Sequence, residues 1–209
     1  MAVSRDNLLT WIEALQQVYV ANKKYLTDLD AAIGDADHGI NMDRGFTNVK
    51  TELEKTKPQV PGALLKTVAM TLIRTVGGAA GPLYGTFFMR ASAACADKTE
   101  LQATDIVAMF EAGLEGILQR GKAQLEDKTM VDAWLPALNT MKQALGNGAN
   151  LKEILQQGAT AAETGMKNTI PLQAKKGRAS YLGERSIGHQ DPGATSSYLM
   201  LKAAADIWE

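Results

Sequence analysis

Several residue types are scarce in this chain, and each shortage closes a class of explanation. A single cysteine, Cys95, excludes a disulfide framework and suits a reducing cytoplasm. It sits in an Ala-rich helical stretch and reads as a small core residue, not a nucleophile. Charge of either sign is not in excess. The 22 basic and 23 acidic residues leave a formal net charge of −1, which gives no electrostatic footprint for nucleic acid or acidic lipid. Long apolar runs are missing too. The charge-free stretch between Arg74 and Arg90 is too short to span a bilayer, and Gly77, Gly78, Gly81, Pro82 and Gly85 break it. The first residues show no secretory h-region. A cytoplasmic protein without membrane segments is expected. No β-branched run at period two occurs, and there is no internal repeat or low-complexity tract.

What is present is helical. Hydrophobic residues make up 45% of 209 positions, enough for one domain, 1–209, with a sizeable core. Leu8, Trp11, Ile12, Leu15, Val18, Tyr19, Leu26 and Leu29 recur at three- and four-residue steps and predict a helix over 4–29, with Ser4 as N-cap. A second helix is expected from Asn41 to before Pro58, and a third over 61–76, opened by Pro61. Pro82 opens a fourth, running to about Ala96, and Thr104 caps a fifth ending near Gly121. Thr129 and Asp132 resemble a capping box for a sixth over 130–145, which Pro136 should kink. The last two are expected over 151–168 and 195–208. Eight helices without strands make an all-α domain. Between the last two lies 169–194, which has no clean period and carries Lys175, Lys176, Arg178, Arg185 and His189. An irregular segment of that length, rich in anion-binding residues, reads as functional.

The densest chemistry lies in Asp30-Ala-Ala-Ile-Gly-Asp35-Ala-Asp37-His38-Gly39-Ile-Asn41. Residues 35 and 37 are two apart and cannot share a helix face, so a turn must hold them. Carboxylates converging on a turn suit a hard cation, Mg²⁺ or Ca²⁺. A solvated Asp-rich loop capping the next helix has the same appearance. Two metal or phosphate motifs fail on inspection. Gly116 to Ala123 lacks the P-loop hydroxyl at Ala123 and starts inside a helical pattern. An EF-hand starting at Asp35 would have Phe46 where a bidentate glutamate is needed. What survives is a set of helix-start loops: the aspartate turn, Gly77-Gly78-Ala79-Ala80-Gly81, and Gly193. Helix N-termini with small residues accept phosphate oxygens. With the carboxylates and Arg178 as countercharge, they describe a metal–nucleotide site.

Several of these stretches together resemble one family. They are Gly-Asp-Ala-Asp-His-Gly at 34–39, Gly-Gly-Ala-Ala-Gly-Pro at 77–82, Arg120-Gly-Lys, Asp127-Lys-Thr-Met130 and the run Gly177 to Gly193. Over essentially its whole length the chain resembles the nucleotide-binding L subunit of dihydroxyacetone kinase, of the free-standing bacterial type that depends on the phosphotransferase system. The resemblance implies an antiparallel eight-helix barrel with the nucleotide at one end. It implies two Mg²⁺ ions on Asp30, Asp35 and Asp37, and ADP or ATP as a bound coenzyme. Matched by position, His38, Gly39, Ile40, Asn41, Ala79, Ala80, Gly121, Met130, Arg178, Asp191, Pro192 and Gly193 would surround the nucleotide. Some relatives have serine where this chain has Ala80, which costs a possible hydroxyl contact. No general base is assigned, since phosphoryl transfer needs positioning and charge neutralisation more than covalent help. The implied partners are a K subunit that holds dihydroxyacetone covalently and an M subunit that donates phosphoryl from a phosphohistidine. A transcriptional activator is a further implied partner, with no direct nucleic-acid or membrane contact. The alternatives are the L part of an ATP-dependent kinase for a small ketose and a nucleotide-loaded module that binds a regulator.

Overall fold

The N-terminal helix stops at Asn22. Its side chain donates to the Val18 carbonyl at 2.8 Å, a local bond that competes with the next helical turn. The computed structural model describes residues 2–208. In place of one helix over 4–29 it has α1 (Arg5–Ala21) and α2 (Lys23–Ile33). There follow α3 (His38–Thr56), α4 (Pro61–Thr75), α5 (Ala80–Ala94), α6 (Ala103–Gly121), α7 (Val131–Gly146), α8 (Leu151–Asn168), a 3₁₀ helix (Arg178–Ser186) and α9 (Pro192–Ile207). The all-α class holds, with one small departure from the expectation of no strands. Val3–Ser4 and Glu100–Leu101 form a two-residue antiparallel pair, which buries Val3 and Leu101.

Several helix starts lie a few residues from where the sequence placed them. Ser4 caps α1 in a capping box with Asn7, as expected. Helix α3 begins at His38, not Asn41, and α5 at Ala80, not Pro82. Helix α6 is capped at Gln102, whose N–H donates to the Asp105 carboxylate at 2.9 Å, not at Thr104. Helix α9 begins at Pro192 behind the N-cap Asp191, three residues before the expected start. Helix α7 runs unbroken through Pro136.

The helices pack in chain order, each from α3 to α8 against the next, and α8 against α9. The ring closes through α1 and α2, which both touch α9 on one side and α3 on the other. One apolar cluster fills it, with Trp11, Phe46, Phe87, Phe88, Phe110, Trp134 and Trp208 fully buried. The first turns of α3, α5, α7 and α9 and the exits of α2, α4 and α6 border a common cleft. Neighbouring helices therefore run in opposite directions, and alternate N-termini meet at one end of the ring.

Candidate functional site

The cleft at that end has a volume of about 430 Å³. Its first wall is the turn between α2 and α3. Asp30, in the last turn of α2, is buried and uses Oδ2 to accept the backbone N–H groups of Asp37 (2.8 Å) and His38 (3.0 Å). Those two bonds tie the turn back on the helix that leads into it. Gly34 makes the fold-back possible, because a β-carbon there would lie 2.0 Å from Asp30 Oδ1. Ala36 adopts a left-handed φ of 60°, so the chain turns sharply between Asp35 and Asp37. As a result one oxygen from each of Asp30, Asp35 and Asp37 lies within 4.8 Å of the others. This is an all-oxygen, anionic donor set of the kind that Mg²⁺ takes.

The remaining walls come from distant parts of the chain. Gly77, Gly78, Ala79 and Ala80 enter α5, with Gly78 at φ 61°. Gly121 ends α6 and Met130 precedes α7. None of the N-cap residues Ala79, Asp37 and Met130 caps its helix with its own side chain, although Asp30 takes the first N–H of α3, at His38, and Thr129 Oγ1 takes that of α7, at Val131, at 3.2 Å. Asp191, Pro192 and Gly193 open α9, where Asp191 accepts the Ala194 N–H at 2.7 Å. Arg178 reaches across the cleft and pairs with Asp35, Nε to Oδ2 at 3.0 Å. Both partners are well exposed, so the pair adds little stability. Its importance is that a guanidinium stands beside the carboxylate cluster.

Gly39, Ile40 and Asn41, named with this group from the sequence, are not among the cleft-lining residues. They lie in the first turn of α3 just behind it. Gly39 is a packing glycine: a β-carbon there would sit 2.1 Å from the Lys23 carbonyl oxygen on α2. The Ile40 side chain is exposed, and Asn41 is buried with its amide oxygen taken by Arg44. The expected Thr129–Asp132 capping box is half formed. Asp132 Oδ2 accepts the Thr129 N–H at 2.7 Å, while its Oδ1 holds the Glu126 N–H at 2.5 Å. Burial pushes the Asp132 carboxyl up, against the pull of those two bonds.

Three features of the site were not singled out from the sequence. His38 Nε2 meets Ser196 Oγ at 2.8 Å, and Ser196 Oγ meets the buried Tyr84 hydroxyl at 2.7 Å, so α9 and α5 together orient the imidazole. Burial pushes the His38 pKa down, opposed by Asp30 and Asp37. Asp191 is buried, and desolvation raises its pKa to about 7, although the Ala194 N–H opposes the rise. Lys128, only 1% exposed, places Nζ against the carbonyl oxygens of Thr169 (2.9 Å), Leu172 (3.0 Å), Ser186 (2.8 Å) and His189 (2.5 Å), which share its three N–H donors. The signal was there in Asp127-Lys-Thr-Met130, but a lysine in a loop reads as solvated until its acceptors are placed. His189 contributes that carbonyl and leaves its ring exposed.

A family model described as the DAK2 domain matches residues 32–206. The chain is 44% identical over 205 residues to the ADP-binding subunit DhaL of the PEP-dependent dihydroxyacetone kinase of Escherichia coli K12, and the match covers 98% of each chain. It is 41% identical over 202 residues to the ADP-binding subunit DhaL of the PTS-dependent dihydroxyacetone kinase of Lactococcus lactis subsp. lactis, covering 97% of each. Its fold matches the native crystal structure of the dihydroxyacetone kinase of C. freundii with a TM-score of 0.72 at 26% identity. That match covers 94% of this chain and 33% of the longer one.

Proposed function

The chain belongs to the DAK2 domain family, and from that premise we propose that it is the ADP-binding subunit of a phosphoenolpyruvate-dependent dihydroxyacetone kinase. In this reading a resident Mg-ADP is phosphorylated by a phosphohistidine of an M subunit. The γ-phosphoryl then passes to dihydroxyacetone held on a K subunit, which gives dihydroxyacetone phosphate. The observation that carries the reading is the convergence of Asp30, Asp35 and Asp37 beside the N-termini of α3 and α5, whose N-cap residues Asp37 and Ala79 place no side chain over them.

Two Mg²⁺ ions would be held by Asp30, Asp35 and Asp37 and would supply charge neutralisation for the phosphates. The residues of this chain do the rest. The N-terminal N–H groups of α3 and α5 offer donors to phosphate oxygens. Ala79 and Ala80 let a ligand approach the backbone of α5 closely, and Met130 and Gly121 provide an apolar floor for a planar base. Arg178, already beside Asp35, supplies a cation that can move between the carboxylate and a phosphate. Asp191, Pro192 and Gly193 close the far side, and the Ser196–Tyr84 pair fixes His38 at the phosphate end.

Two measurements test the proposal. Purified protein, denatured and analysed by mass spectrometry and metal analysis, should release ADP with about two Mg²⁺ per chain. The chain mixed with K subunit, phosphorylated M subunit and dihydroxyacetone should form dihydroxyacetone phosphate. Product with ATP but not with the phosphorylated M subunit would move the assignment to an ATP-dependent kinase. No product with either donor would overturn it.

A further inference from the structure

Residues 169–190 carry Arg178 and lead into Asp191, yet their only regular element is the short 3₁₀ helix. Such a segment leaves many backbone carbonyls without helix or sheet partners. Here those carbonyls turn inward on a single ammonium. Four carbonyl oxygens lie within 3.0 Å of Lys128 Nζ, from residues 169, 172, 186 and 189, so both ends of the segment are drawn to one point. Around that point the segment is laced to itself and to its neighbours. The Gly188 N–H donates to the Ile170 carbonyl at 2.8 Å, and the Lys175 N–H to the Asp127 carbonyl at 3.1 Å. The Ala174 N–H donates to Ser186 Oγ at 2.9 Å, and the Asp191 N–H to Thr169 Oγ1 at 3.0 Å.

The loop that presents Lys128 is itself built for the purpose. Lys128 has a left-handed φ of 61°, an uncommon state for a side-chain-bearing residue. Glu126, two residues earlier, has φ 67°, and the Asp132 carboxylate staples the loop by holding the N–H groups of Glu126 and Thr129. Burying an ammonium is costly unless its donors are met. A lysine suits this cage because its three donors diverge from one compact charge, whereas an arginine fork is planar.

We propose that Lys128 is a positioning residue whose ammonium organises segment 169–190 and so holds Arg178 and Asp191 facing the Asp30–Asp35–Asp37 cluster. The structural half of this stands on the cage alone; its consequence for ligand binding rests on the Mg-nucleotide reading above. Hydrogen exchange of nucleotide-free protein tests the first half. Lys128→Met keeps an unbranched apolar stem of similar length and removes the charge. Amides in 170–190 should then exchange roughly ten- to a hundredfold faster, the loss expected for charged hydrogen bonds, while those of α1 to α8 keep their rates. Unchanged exchange in 170–190, or equal acceleration in every helix, would overturn the proposal. Mg-ADP titration of Lys128→Ala tests the second half. Affinity should fall by a similar factor and recover with n-propylammonium, but not with tetramethylammonium, which has the charge without N–H donors. Equal recovery with both cations, or with neither, would overturn positioning by the cage. Normal hydrogen-exchange changes with no Mg-ADP binding even in the unaltered chain would instead count against the nucleotide reading alone.

Discussion

Gly34 and Asp191 show how much of the site depends on single atoms. Any side chain at Gly34 would collide with Oδ1 of Asp30, the carboxylate that ties the aspartate turn together. Gly34→Ala should therefore displace Asp30 and weaken Mg²⁺-dependent ADP retention about tenfold or more, since one charged hydrogen bond is worth about 1.5–3 kcal/mol. Equilibrium dialysis with and without EDTA measures this, and helix content by circular dichroism should barely change. Asp191 makes a pH prediction. Its carboxyl titrates at about 7 in the fold, against an ordinary 3.8, because burial disfavours the charge. Between those values the unfolded chain has released its proton and the folded chain retains it, so rising pH favours unfolding. In metal- and nucleotide-free protein, stability should fall from about pH 4 to about pH 7 by up to a few kcal/mol and then level off. Asp191→Asn keeps an acceptor at the cap and should remove that slope, as read from urea midpoints across the range.

Helices α7 and α8 approach each other closely at Gly165, where a β-carbon would lie 2.0 Å from the Asp132 carbonyl oxygen. That carbonyl is the one four residues before Pro136, which has no N–H to donate to it. The proline thus frees an acceptor, and the glycine lets α8 close over it, which supports a C–H···O contact between the helices. From the sequence Pro136 predicted a kink, and its tertiary use could not be read because the partner lies 29 positions away. Gly165→Ala should force the helices apart and cost about 1–3 kcal/mol, the range for overpacking. Thermal or urea unfolding measures it. Asp132 holds the loop before α7, so the same variant should also loosen Thr129 and Met130 at the cleft, seen as faster amide exchange there.

At the scale of the whole molecule, the ring is locked where its ends meet. Trp208 lies 5.0 Å from the Trp11 ring and donates from Nε1 to the Asn7 carbonyl at 3.1 Å. Trp11 donates in turn to the Met200 carbonyl at 3.3 Å, and Tyr19 to the Ser196 carbonyl at 2.9 Å. Closure of α9 on α1 therefore fixes Ser196, and through it His38, at the far end of the same helix. Trp208→Ala should cost about 3–5 kcal/mol, as for other buried tryptophans. It should also weaken Mg-ADP binding although it lies outside the cleft. Urea unfolding and calorimetric titration check the two effects separately.

The all-α class, the approximate helix set and the clustering of three aspartates in a turn were all legible in the chain. Apolar periodicity and short spacing are local quantities, and residues 30 to 37 are neighbours in any fold. Specific long motifs extended that reading to the family and to Ala79, Ala80, Arg178 and Asp191. The break at Asn22 was missed outright and the starts at His38, Ala80 and Pro192 by two or three residues, because caps and side-chain bonds decide them. Apolar faces were legible, as Leu8, Trp11, Ile12, Leu15 and Tyr19 show, but which polar and small residues of the loops and first turns enter the cleft was not. Gly39 and Asn41 pack behind the cleft, and the Lys128 ammonium finds its acceptors 41 to 61 residues along the chain. Only closure of the helical ring brings such positions together, and so only the tertiary structure could show what a charge buried in a loop is for.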